Sequence, residues 1–132
     1  MSRTDSELAS AAVAELARAA PGLELLVLFG SRARGDAYDG SDWDFAYLGT
    51  GEFDPDAFLA RLVPLLGAER VDLVDLARAN GLLRYRVAGE GKVLHEAASD
   101  LFARFWLEAV TFWCDVEPVL HSAYDEVLAR ER

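Results

Sequence analysis

At 132 residues the chain has room for one domain with its own core. Apolar residues at 52% exclude a disordered chain, and a net charge of −10 excludes the basic stripe of a nucleic-acid binder, so neither a templated polymerase nor a tRNA-modifying enzyme is expected. The single cysteine, Cys114, rules out an internal disulfide, and there is no His/Cys cluster for zinc. With no signal peptide and no apolar run of about 18 residues, a cytoplasmic protein that does not enter a membrane is expected. An acidic chain also suits a basic protein partner.

Taken in order, Thr4-Asp5-Ser6-Glu7 reads as a capping box for an amphipathic, Ala-rich helix that ends near Ala20, where Pro21-Gly22 stops it. The bulky run Leu23 to Phe29, closed by glycine, predicts a buried strand. A short helix over about 31–36 and a loop over 37–41 lead to a second strand over about 42–48. Asp54-Pro55 supplies an N-cap with proline at the first helical position, and that helix runs to Leu66 and stops at Gly67. A third strand over about 69–76, a short helix over about 80–88 ahead of Gly89 and Gly91, and a small strand from Lys92 to His95 complete this part.

From about 99 to 130 the apolar residues follow helical spacing, with Ser99 or Asp100 as the cap and Pro118 predicting a kink or restart. Trp106, Phe112 and Trp113 span more than one narrow stripe, which fits core packing and contact with another chain equally well. Cys114 reads as a packed thiol, His95 as structural, and His121 as exposed or partner-facing. Gly89-Glu90-Gly91 reads as a turn; Asp36 and Asp39 read as solvated loop carboxylates, with an approach to a metal as the alternative, and Arg84 and Arg86 as surface residues, with a reach to phosphates as the alternative.

The chemistry concentrates in residues 30 to 44, GSRARGDAYDGSDWD. A strand followed by Gly30-Ser31 and a helical turn aims free backbone N–H groups at one spot. Gly30 has no Cβ, so a phosphate can approach closely, and the Ser31 hydroxyl adds a hydrogen bond. Arg32 and Arg34 add positive charge. Ten residues after Ser31 comes Asp42-Trp43-Asp44. On a strand the two carboxylates share a face, repel each other, and suit Mg²⁺, which takes oxygen ligands and completes its shell with substrate phosphates. Trp43, Phe45 and Tyr47 give the strand an apolar opposite face. Asp72 and Asp75 are further candidates; they are three apart and cannot share a strand face, and parity does not choose between them.

Gly30, Ser31, Asp42 and Asp44, with the surrounding GSRARG, SDWDFAYLG and VDLVDL, resemble the nucleotidyltransferase superfamily that includes DNA polymerase beta, and within it the minimal nucleotidyltransferases (MNT). The resemblance covers about residues 23 to 95 and is much weaker in the last third. It implies an α/β (α+β) polymerase-beta-like fold: a small mixed sheet flanked by helices, with a core over about 1–97 and a long C-terminal helical extension over about 98–132. It also implies Asp42, Asp44 and Asp72 as catalytic residues holding two Mg²⁺ ions, with Asp75 left as a cap or loop carboxylate. Gly30, Ser31, Arg32, Arg34 and Ser41 are the implied contacts to ATP.

The same resemblance points to the antitoxin half of HEPN–MNT toxin–antitoxin pairs. The implied reaction is transfer of AMP to a tyrosine of a HEPN ribonuclease toxin, met through the C-terminal helix and Trp106, Phe112 and Trp113. Two alternatives are a small-molecule, aminoglycoside-type nucleotidyltransferase and a non-catalytic antitoxin that acts by binding alone. The first usually carries a larger second domain, and the second has no need for mutually repelling carboxylates.

Overall fold

The computed structural model describes residues 3–37 and 42–130, with side chains described over 5–37 and 42–115. Asp39, Ser41 and the side chains of Thr4 and His121 therefore lie outside the described residues, and the Thr4 backbone lies inside a helix that starts at Arg3 rather than capping it. The elements run α1 (Arg3–Arg18), β1 (Leu23–Phe29), α2 (Ser31–Arg34), β2 (Trp43–Gly49), α3 (Pro55–Leu66), β3 (Val71–Asp75), α4 (Gly81–Glu90), β4 (Lys92–Glu96) and α5 (Leu101–Arg130). One mixed sheet has the order β3-β2-β1-β4, with β1 antiparallel to both β2 and β4 and β2 parallel to β3. The parallel pair is joined through α3, the crossover that such a pair requires.

Each face of the sheet carries its own helices. Leu26, Leu28, Trp43 and Phe45 pack with Val13 and Ala17 of α1 and with Phe58, Leu62 and Leu66 of α3. On the other face, Leu25, Val27, Phe29 and Ala46 pack with Val87 and Ala88 of α4 and with Phe105 and Ala109 of α5. β1 is buried on both faces, which is why it reads as a continuous apolar run rather than an alternating one.

Local signals place the helix ends. The Asp54 carboxylate accepts the Ala57 N–H at 3.1 Å, and Gly67 closes α3 in the left-handed conformation. Asn80 opens α4 by accepting the Leu83 N–H at 2.9 Å. Two expectations change. α5 runs through Pro118 as one helix, Leu101–Arg130, rather than restarting, since a proline removes only one donor from the helical ladder. Cys114 is exposed, not packed, because α5 meets the core through Phe105 and Ala109, whose stripe does not include position 114. No helix among the described residues is long and apolar enough to cross a membrane.

Candidate active site

β1 delivers Phe29 to the edge of the helical cover, and the chain turns there at Gly30 with φ 77°. Such a φ strains any residue with a side chain. The Gly30 carbonyl accepts the N–H groups of Ala33 at 3.1 Å and Arg34 at 3.0 Å, which starts α2. Glycine is needed here for a second reason: a Cβ at position 30 would collide with the Asp44 carboxylate.

Asp44 sits on β2 opposite Phe29 of β1 on one side and Asp72 of β3 on the other. Residues paired in parallel strands project to the same face, so the two carboxylates lie side by side and share a hydrogen bond. Burial pushes the Asp44 carboxyl above its ordinary value of 3.8; the negative charges of Asp72 and Asp42 and the hydrogen bond to Asp72 push it further, against a smaller opposing pull from Arg86. Two adjacent carboxylates that resist joint ionisation are a donor set suited to a hard divalent cation.

Asp42 departs from expectation. β2 begins at Trp43, one residue later than the pattern suggested, and the Asp42 carboxylate lies 3.8 Å from the Arg70 guanidinium. Among the described residues no three His, Cys, Asp or Glu side chains converge as they stand into a metal cluster. Asp42 still acts on Asp44 through its charge. Asp75 pairs with Tyr47 instead, and its carboxylate accepts the Ala77 N–H at 2.9 Å, the loop role expected of it.

The two arginines after Ser31 separate. The Arg32 guanidinium lies over the Trp43 ring, 4.2 Å from its centroid, and is buried, which lowers its pKa. Arg34 turns the other way and donates to Glu90 at 3.0 Å and to Asp36 at 3.3 Å. Glu90, read as part of a turn, lies instead in α4 beside this site, and Arg86 reaches it while remaining exposed as expected. Glu90 closes α4 and accepts from the Gly30 N–H at 3.3 Å and from Arg86 at 3.0 Å. The only local hint was the four-residue spacing of Arg86 and Glu90 on one helix face. A cleft of about 380 Å³ lined by Tyr85, Arg86, Gly89, Glu90, Trp106 and Val110 adjoins them. His95 is structural, with Nε2 3.2 Å from the Leu23 carbonyl oxygen.

This arrangement has relatives. Residues 12–100 match the family model described as polymerase beta, nucleotidyltransferase. The chain is 38% identical over 97 residues to protein adenylyltransferase MntA of Aphanizomenon flos-aquae, covering 64% of this chain and 65% of the relative, so it spans just under two thirds of that protein's length. It is 32% identical over 114 residues to protein adenylyltransferase MntA of Shewanella oneidensis, covering 83% of this chain and 79% of the relative. Among solved structures, a toxin–antitoxin with AMP-PNP superposes with a TM-score of 0.71 at 25% identity, covering 96% of this chain and 99% of that one. A tri-AMPylated Shewanella oneidensis HEPN toxin in complex with MNT antitoxin gives a TM-score of 0.71 at 26% identity, covering 93% of this chain and 98% of that one. The family match runs through the glycine-serine turn and all three aspartates, and the chain belongs to the polymerase beta nucleotidyltransferase family.

Proposed function

We propose that the protein transfers AMP from ATP, with Mg²⁺, to a tyrosine hydroxyl of a cognate HEPN-type toxin, and so acts as its antitoxin. The observation that carries this reading is the Asp44–Asp72 pair, with Asp44 packed against the glycine that turns the chain from β1 into α2. The relatives named as adenylyltransferases and the toxin complexes with AMP-PNP or an AMPylated partner support the choice of donor and acceptor.

In this reading Gly30 and Ser31 hold the terminal phosphates through backbone N–H and hydroxyl groups. Asp44 and Asp72, with Asp42 once released from Arg70, would hold two Mg²⁺ ions. Bound there, the ions neutralise triphosphate charge and lower the pKa of the acceptor hydroxyl. Asp72, on the outer strand of the pair, accepts the hydroxyl proton. The hydroxyl oxygen bonds to the α-phosphorus, the bond to the β-phosphate breaks, and pyrophosphate departs. The outward face of α5, where Trp106 and Phe112 are exposed, meets the toxin, with Trp113 beside them.

The test is transfer of label from α-labelled ATP to a co-purified toxin in Mg²⁺. The expected result is label on a toxin tyrosine, lost by more than about a hundredfold in Asp44→Asn. Undiminished transfer by Asp44→Asn removes the site assignment; full toxin neutralisation by that variant shows that binding suffices.

A further inference from the structure

Glu90 holds three donors at once. Its Oε1 accepts the Gly30 N–H at 3.3 Å and the Arg86 Nε–H at 3.0 Å, while Oε2 accepts from Arg34 Nη1 at 3.0 Å. The side chain is only 18% exposed, so this is a built arrangement and not a passing surface pair. One donor comes from α4 itself, and the other two from the Gly30 turn and the end of α2, 60 and 56 residues away in sequence. One of them belongs to Gly30, the glycine whose open side faces the Asp44 carboxylate, where the proposed function seats the triphosphate. A backbone N–H and two guanidinium groups around two anionic oxygens are also what a phosphate group needs. A carboxylate and a phosphate cannot both take them.

We propose that Glu90 determines polyphosphate selectivity by occupying the phosphate donors Gly30 N–H, Arg34 and Arg86, so that only a ligand carrying several phosphates displaces it. A monophosphate brings one anionic group to exchange for Glu90 and gains little. A triphosphate engages the ions and the carboxylate side of the site with its other phosphates, and that extra binding drives the exchange. Burial alone would make ionised Glu90 unfavourable, but the two arginines outweigh it and hold the carboxyl below its ordinary value of 4.5, so it is present as the anion near neutral pH.

The inference rests on the nucleotide-transfer reading, and the experiment separates the two. AMP-PNP, inorganic triphosphate and AMP are titrated calorimetrically in Mg²⁺ against the wild type, Glu90→Gln and Glu90→Asp. Glu90→Gln keeps the shape but gives up the ionic hold on the arginines; Glu90→Asp keeps the charge but shortens the reach, which safeguards the test against a folding defect in either variant. Expected are AMP-PNP and triphosphate binding about tenfold tighter in Glu90→Gln, a smaller gain in Glu90→Asp, and a gain for AMP no larger than that for AMP-PNP. Unchanged or weaker AMP-PNP binding in both variants overturns the inference and makes Glu90 a positioning residue for the arginines. If no protein, wild type included, binds AMP-PNP in Mg²⁺, the nucleotide reading falls and this inference with it.

Discussion

A methyl group on Gly30 has no space, because the Asp44 carboxylate already fills the volume where a Cβ would sit, and the φ of 77° is itself strained for alanine. Gly30→Ala should leave a folded protein destabilised by about 1 kcal/mol from backbone strain, yet lose label transfer almost completely, because Asp44 must move; circular dichroism and the transfer assay together check this. Glu90 yields a pH prediction. Its folded-state pKa lies below 4.5, so its stabilising contribution is complete above that pH and is lost as pH falls through the lower folded value. The melting-temperature advantage of wild type over Glu90→Gln, measured without ligand, should therefore be constant near neutrality and close below about pH 4.5. At this scale the turn at Gly30 and the place of Asp44 on a strand were legible from local pattern. The place of the Arg32 side chain was not: its guanidinium lies over the ring of Trp43, eleven positions on, a contact that no local pattern announces.

The helices and strands were largely legible, and α3 is the clearest case, since Asp54, Pro55 and Gly67 mark both ends through side-chain capping and a left-handed closure. The end of α4 was less so. Gly89 reads as a breaker, yet the helix passes through it to Glu90 and closes at Gly91, whose N–H reaches the Val87 carbonyl at 2.9 Å. Tertiary contact overrides the intrinsic cost of a helical glycine, about 1 kcal/mol, because Val87 and Ala88 are buried against the sheet. Gly91 allows this end to form: a Cβ there would strike the Val87 carbonyl oxygen and the Val27 side chain. Gly91→Ala should cost about 1–3 kcal/mol in chemical denaturation and, by shifting the end of α4, weaken the hold of Glu90 on Gly30.

Across the whole molecule, a net charge of −10 coexists with an apolar outer face on α5, where Trp106 is 44% and Leu107 60% exposed. Phe112 and Trp113 are less clean probes, since Phe112 covers Gly81 and Trp113 stacks on Tyr85 at 5.4 Å, so both also join α5 to α4. Trp106→Ala should therefore weaken association with the proposed toxin by more than about tenfold while leaving the melting temperature nearly unchanged; surface plasmon resonance and thermal melting check the two halves. The sequence by itself determined the strand before the turn, the glycine-serine pair and the spacing to Asp44, because period, backbone freedom and capping are local properties carried by neighbouring residues. Tertiary structure alone decided that Asp72 rather than Asp75 stands beside Asp44, that Asp42 faces Arg70, and that Glu90 reaches Gly30. Those outcomes depend on the parallel register of β2 and β3 and on where α4 lies against the sheet, and no local pattern encodes the registry of segments that meet only after the chain has folded.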